Sequence, residues 1–115
     1  MRNIVSTFCL SALLAAPLSA AFTLTTVSPR IFSPNAGNNL VNRAWFHYTN
    51  PDSCEVTIRI FALNGSLVRR NLDYEAGIMY WNGKDQNGAM VKGGIYIYQI
   101  EAADKVLTGT VVVAK

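Results

Sequence analysis

The sequence predicts an all-β protein, folded as an antiparallel sandwich of about seven short strands. Its segments of β-branched and aromatic residues are brief, and turn-forming residues separate them at intervals of about eight to twelve residues. Apolar side chains alternate with a period of two, most clearly in Glu55–Ala62. No segment after residue 21 has a helical period, so we expect no helix in that part of the chain.

The beginning of the chain has the pattern of an export signal. Met1–Asn3 is a short basic start, Phe8–Leu18 is an apolar run too short to span a bilayer, and Leu18–Ala21 offers small residues for cleavage. We therefore expect residues 1–21 to be a signal peptide and residues 22–115 to form one sandwich domain. The expected destination is the extracellular space, the cell surface or the periplasm.

Removal of this leader would take Cys9 with it and leave Cys54 as the single cysteine. An internal disulfide is therefore not expected, although the destination is oxidising. We expect Cys54 to be a small buried apolar residue, with a free or intermolecular thiol as the alternative.

The charge distribution argues against nucleic-acid binding. The formal net charge is +3, and Arg69-Arg70 is the only basic pair. Basic residues are interspersed with acidic ones, whereas a phosphate backbone is usually bound by a clustered basic stripe. After the leader no apolar run approaches the length of a membrane span, so we expect no stable membrane span either.

The first third of the domain predicts an edge strand, a short extended piece and a longer strand. Phe22–Val27 alternates apolar residues with Thr and stops at Ser28-Pro29, Ile31–Pro34 is extended, and Asn35–Asn39 has the composition of a loop. Leu40–Tyr48 is the longer strand. Its alternation puts Ala44, Phe46 and Tyr48 on one face and Trp45 and His47 on the other.

The clearest local prediction is a β-hairpin. Glu55–Ala62 directs Val56, Ile58, Ile60 and Ala62 to one side. Asn64-Gly65 follows at once, and this pair is a strong signal for a tight hairpin turn. Leu67–Arg70 should therefore return antiparallel to the first strand.

The stretch from Tyr80 to Ile100 predicts a strand end, a long polar turn and a second strong strand. Asn82-Gly83 and Asn87-Gly88 adopt positive φ at low cost, so the backbone can reverse between the strands. Asn71–Gly77 is predicted to be a polar connection, followed by strands at Ile78–Trp81, Ile95–Ala102 and Val106–Ala114. Trp81 is expected to anchor the core, because so small a sandwich needs large apolar area.

The order of these segments resembles a known family. The runs PRIFSPN, EVTIRIFALNGSLVRR, YWNGKDQNGAMVKGGIYIYQIEA and TGTVVVAK are similar to the immunoglobulin-like domain of flagellar hook-capping proteins. They are similar, more loosely, to the C-terminal sorting domains of the type IX secretion system. The resemblance implies an immunoglobulin-like sandwich used for assembly, adhesion or export.

No cofactor, metal or catalytic residue is predicted. Asp85–Gly88 resembles part of a calcium loop, but an EF-type first ligand and distal Glu are missing, and a turn explains the residues. Asn82 stands where relatives usually carry an acid. His47 is the sole histidine and has no Cys or second His beside it for zinc, nor a recognisable nucleophile turn for a triad.

We therefore expect a non-enzymatic module for protein interaction or assembly at the bacterial cell surface or in the periplasm. The alternative is a sorting domain whose C-terminal strands are recognised by a secretion apparatus. We assign seven alternating residues to the core face: Phe46, Tyr48, Val56, Ile58, Ile60, Tyr96 and Tyr98. Alternation then leaves four large apolar residues on outer faces, and these are the predicted binding residues for a protein partner or for self-association: Trp45, Phe61, Ile95 and Ile97.

Overall fold

A computed structural model describes residues 22–115, which form nine β-strands and no helix. The strands are β1 (Thr23–Ser28), β2 (Ile31–Phe32), β3 (Ala44–Thr49), β4 (Val56–Ala62), β5 (Leu67–Arg69), β6 (Asp73–Glu75), β7 (Ile78–Trp81), β8 (Gly94–Ala102) and β9 (Lys105–Val113). The predicted signal peptide lies outside the described residues.

The strands form two sheets, as the prediction of a sandwich requires. One sheet has four strands in the order β1-β3-β7-β6, and the other has five in the order β2-β9-β8-β4-β5, within residues 22–115. This is the strand order of an immunoglobulin-like sandwich whose first strand is divided between the two sheets. The predicted fold class is confirmed.

Two details differ from the predicted seven antiparallel strands. The chain changes sheet at Ser28-Pro29, so that β2 leaves the four-stranded sheet and pairs with β9 in parallel. The segment predicted as a polar connection contains β6, which pairs antiparallel with β7 across the turn at Ala76-Gly77. Its three residues carry two acids, so their composition does not indicate a strand.

The third strand is shorter than predicted and begins at Ala44 rather than at Leu40. Asn38 accepts hydrogen bonds within the loop that precedes this strand. Its side-chain Oδ1 accepts the backbone N–H of Leu40 at 2.8 Å, and its carbonyl accepts that of Val41 at 3.0 Å. Backbone donors that are satisfied inside a loop have no need of a strand partner. Residues 40–43 therefore belong to this loop.

The core lies between the two sheets and follows the predicted alternation. Phe46, Ile58, Ile60, Tyr96 and Tyr98 are buried, while Tyr48 and Val56 are half-buried and pack against the same cluster. Trp81 is fully buried, and its Nε1 donates to the carbonyl oxygen of Lys84 at 2.9 Å. A buried indole N–H needs such a partner. Trp81 is therefore the core anchor that was predicted.

Cys54 is buried, as expected, at the end of the loop that leads into β4. The side chain of Asn50 fixes this loop, donating to the Cys54 carbonyl at 2.7 Å and accepting its N–H at 3.0 Å. The sulfur of Cys54 is disulfide-bonded in the full-length chain. The prediction of no internal disulfide applies to the chain after removal of the leader, so this observation does not test it, and Cys9 lies outside the described residues.

The β4–β5 hairpin is confirmed. The N–H of Gly65 donates to the Ala62 carbonyl at 2.9 Å, and the Asn64 side chain accepts the N–H of Ser66 at 3.0 Å. Gly65 has a φ of 91°, a region in which L side chains are strained.

Replacement of Gly65 by Val should destabilise the domain by about 1 kcal/mol or more, because a β-branched residue resists positive φ. No atom lies within 4 Å of the added Cβ, so the loss would come from backbone conformation alone. Gly37→Val is the matched control, since Gly37 also has open space but no positive φ. Equal melting temperatures for Gly65→Val and the wild type would contradict the turn assignment.

A second glycine is required by packing rather than by backbone conformation. Gly109 of β9 lies opposite Tyr98 of β8, and the ring of Tyr98 occupies the space that a Cβ at position 109 would fill. An aromatic ring that covers a facing glycine fills the inner surface of the sheet without a void.

Gly109→Ala should therefore destabilise the domain by about 1–3 kcal/mol, because the Tyr98 ring must move. Adding Tyr98→Leu to the Gly109→Ala variant should cost less than adding Tyr98→Leu to the wild type, and denaturant titration of the four proteins measures this coupling. Additive effects of the two substitutions would show that the ring does not depend on Gly109.

Candidate functional site

The structure places the four predicted partner residues on two opposite surfaces. Phe61, Ile95 and Ile97 lie on the outer face of the five-stranded sheet, on β4 and β8. Trp45 lies on the outer face of the four-stranded sheet, on β3. The prediction that each of them leaves the core is confirmed, but a single patch formed by all four is not possible in this fold.

On the five-stranded sheet the apolar side chains form a continuous band, which we call the outer stripe. Cross-strand pairing brings Phe61 opposite Ile97 and Ile95 opposite Val112. The outer stripe reaches both edges of the sheet, because Ile31 of β2 pairs with Val112 and Leu67 of β5 pairs with Phe61. Its members are Ile31, Val112, Ile95, Ile97, Phe61 and Leu67.

The outer stripe is accessible to solvent along its length. Ile31 is 64% exposed, Ile95 48% and Leu67 37%, while Val112, Ile97 and Phe61 are half-buried. The half-burial of these three follows from their neighbours in adjacent strands, which cover their flanks. Contiguous apolar patches on a protein surface mark interaction sites, whereas apolar residues scattered singly need no such explanation.

The residues beside the outer stripe on the same face are polar. Arg59 of β4 and Glu101 of β8 form an ion pair at 2.8 Å, and both side chains are partly exposed. Thr108 and Thr110 of β9 are exposed, and the Arg30 side chain donates to both the carbonyl and the hydroxyl oxygen of Thr110 at 3.3 Å. The face is thus apolar across the end at which β8 begins and mostly polar across the other end.

Trp45, on the other sheet, is largely covered by the chain itself. The guanidinium of Arg43 lies 5.7 Å from the Trp45 ring centroid and 4.4 Å from that of Tyr80. The indole Nε1 donates to the Asn39 carbonyl at 3.2 Å, so the loop that precedes β3 holds the ring. Glu75 accepts a hydrogen bond from Arg43 at 3.3 Å. These contacts satisfy the polar groups around Trp45 within the domain.

A depression of about 360 Å³ adjoins Trp45 on this face. Pro29, Leu40 and Ile78 give it apolar walls, and His47 and Glu75 lie at its polar side. The Glu75 carboxylate at this depression pairs with Arg43 at 3.3 Å, so its charge is compensated within the domain.

A cleft of about 500 Å³ opens between the two sheets at the end where Asn50, Cys54 and Leu72 meet. Tyr48 and Tyr74 line it, and Ile58 and Met79 of the core form part of its wall. Burial raises the pKa of the Tyr48 hydroxyl, and the neighbouring Tyr74 adds to the shift. A tyrosine whose ionisation is disfavoured does not act as a base at neutral pH.

The loop between β7 and β8 is held by its own side chains. Asp85 accepts the backbone N–H groups of Asn87 and Ala89, each at 2.9 Å, and Gln86 accepts the N–H of Arg70 at 2.8 Å. Hydrogen bonds of this kind are typical of a turn, which the sequence favours here over a calcium loop. Within residues 22–115 no group of three or more His, Cys, Asp or Glu side chains is close enough together to hold a metal ion. In the same range no helix has the length and apolar character needed to cross a membrane.

Half of the outer stripe was missed from the sequence, namely Ile31, Leu67 and Val112. Ile31 lies in a two-residue strand, and Val112 is one of three consecutive valines in which alternation has no polar contrast. The hairpin signal at Asn64-Gly65 could have indicated Leu67, because the register that it sets brings Leu67 opposite Phe61.

Comparisons with known proteins returned nothing: no protein-family model, no curated protein and no solved structure matches this chain.

Calcium and zinc should leave the melting temperature of the protein unchanged, because Asp85 is engaged by its own loop and no Cys/His set is assembled around His47 within residues 22–115. Thermal unfolding with millimolar metal and then with EDTA measures this. A rise in melting temperature that EDTA reverses would contradict the prediction.

Proposed function

We propose that this chain is an exported, non-enzymatic β-sandwich module that binds a protein partner in an assembly at the cell surface or in the periplasm. The observation that carries the proposal is the outer stripe, which crosses all five strands of one sheet. Burial of apolar surface is the main favourable term in protein association, and this band offers such surface in a continuous row of side chains.

The composition of the face supports binding to protein rather than to a small ligand. The outer stripe lies on a sheet face, whereas small-molecule sites are usually concave. Its members Phe61, Ile95 and Ile97 are uncharged, and the Arg59–Glu101 pair lies on the adjoining half of the same face. Protein interfaces usually combine an apolar core depleted in charge with neighbouring polar residues.

The edges of the five-stranded sheet provide few groups for binding a partner, compared with its face. The edge strands are β2, with two residues, and β5, with three. Addition of an extended peptide to a sheet edge depends on main-chain hydrogen bonds, and such short strands provide few of them. Side-chain contact across the face is therefore the mode of binding that we propose.

The resemblance to the immunoglobulin-like domain of flagellar hook-capping proteins is consistent with a role in assembly. The alternative function, a sorting domain recognised through its C-terminal strands, would assign that recognition to β9. In β9, Val111 and Val113 are buried in the core, and β9 pairs with both β8 and β2. Deletion of residues 111–115 would therefore unfold the domain and would not separate the two functions.

A photo-reactive benzophenone amino acid at position 97 should form a discrete cross-linked adduct in the cells that produce the protein. The same amino acid at position 40 is the matched control, because Leu40 is an exposed apolar residue near the opposite sheet. Ile95→Lys should remove the adduct at position 97 and leave the melting temperature unchanged, since Ile95 is half-exposed. No adduct at position 97, or the same adducts at both positions, would contradict the proposal.

A further inference from the structure

We propose that β4 carries a further protein-binding site at its open edge, where an extended segment of a partner protein adds as an antiparallel strand. The site consists of the main chain of Val56 and Ile58 together with the cleft between the two sheets. It lies apart from the outer stripe, so this inference goes beyond the proposed function and does not rest on it.

The strand β5 covers only the last part of β4. Within the described residues β4 pairs with β8 along its whole length, but with β5 only at Ile60 and Phe61. After Arg69 the chain leaves this sheet and enters β6 of the other sheet. The first residues of β4 therefore have a neighbouring strand on one side alone.

The main-chain groups of Val56 and Ile58 point to the uncovered side. Ala62 fixes the direction, because its N–H donates to the Ser66 carbonyl and its carbonyl accepts the N–H of Gly65, both at 2.9 Å. Hydrogen bonds along an antiparallel strand alternate between its two sides, so every second residue of β4 faces the same way as Ala62. The N–H and C=O groups of Val56 and Ile58 are therefore directed past the end of β5.

The chain closes this edge on both sides of the gap but not within it. The Asn50 side chain takes both main-chain groups of Cys54, and β5 pairs with Ile60. No strand of residues 22–115 pairs with Ile58 on this side. Ile58 is 1% exposed, and a main-chain group held away from water without a hydrogen bond is costly. An added strand would supply these bonds.

The cleft of about 500 Å³ described above adjoins this edge. Val56 and Ile58 line it from the five-stranded sheet, and Tyr74 and Met79 line it from the four-stranded sheet. Inward side chains of an added strand would enter the cleft beside the core, as the inward side chains of β4 do. Because the two sheets bound the cleft, it suits an extended segment better than a folded domain.

Two exposed charges indicate the chemistry of the segment. Glu55 precedes β4 and Arg70 follows β5; both line the cleft, and within residues 22–115 neither forms an ion pair. A segment antiparallel to β4 passes Arg70 before it reaches Glu55, so it should begin with an acid and end with a base. Between these, the side chains opposite Val56 and Ile58 face the cleft and should be apolar.

NMR titration of the isotopically labelled full chain with a synthetic peptide, capped at both ends, tests the inference. The probe is Glu-Val-Thr-Val-Lys, whose valines lie opposite Ile58 and Val56 in the expected register. It should shift the amide signals of these two residues. Lys-Val-Thr-Val-Glu, of the same composition, should bind about threefold more weakly or worse, because its charges repel Arg70 and Glu55. Amide signals of Val56 and Ile58 that do not shift at millimolar peptide would overturn the inference.

N-methylation of the probe separates main-chain pairing from other contacts without altering the protein. The N–H groups of its two valines should bond to β4, whereas that of its threonine points away. Methylation of either valine nitrogen should weaken binding about fivefold or more, as for the loss of one hydrogen bond, and methylation of the threonine nitrogen is the matched control. Equal affinities of the valine and threonine variants would contradict an added strand.

Two further measurements identify a different occupant or a different place. Amide signals of Val56 and Ile58 that move with chain concentration alone would assign the edge to a second copy and overturn a separate partner segment. Ile95→Lys alters the outer stripe and should bind the probe with the wild-type Kd. Weaker binding by Ile95→Lys would place the peptide on the outer stripe, whereas an unchanged Kd supports the open edge whether or not the outer stripe binds a partner.

Discussion

The rest of this structure depends on the contact that Trp81 makes between the two sheets. Trp81 belongs to β7 of the four-stranded sheet, and its ring meets Phe32 and Tyr96 of the five-stranded sheet edge to face, with centroids 5.6 and 5.3 Å apart. Edge-to-face aromatic pairs add to the free energy of area burial. The Lys84 carbonyl that receives the indole N–H belongs to the following loop, so the same side chain also fixes where that loop begins.

Core packing and surface chemistry are separated by alternation within single strands. In β8, Tyr96, Tyr98 and Ile100 face Trp81 and the core, while Ile95 and Ile97 face outward. A sheet with one solvated face usually reads as apolar residues alternating with polar ones. The apolar residues on the outer positions of β8 are therefore not needed by the core, and the proposal of a partner rests on them.

Much of the fold could be predicted from the sequence because short-range sequence patterns determine it. The β4–β5 hairpin follows from Asn64-Gly65, and the inward face of β4 follows from a period of two. The strand β6 could not be predicted, since two of its three residues are acids of weak β-propensity and it exists through pairing with β7.

The candidate site was predicted only in part, for a related reason. Alternation identifies which side chains leave the core, and it did so for Trp45 and Ile97. It does not state which sheet a strand joins, so residues on opposite surfaces were grouped together. The division of the first strand between the sheets also brings Ile31 beside Val112, and that neighbourhood arises from long-range topology.

The loop of residues 35–43 determines how much aromatic surface the four-stranded sheet exposes. By placing Asn39 against the indole and Arg43 over the rings of Trp45 and Tyr80, it covers these two side chains from within the same chain. A displacement of this loop would uncover both rings without disturbing the core, because neither ring belongs to the buried cluster between the sheets. The accessible aromatic area on this side of the domain is therefore set by a loop and not by the packing of the sheets.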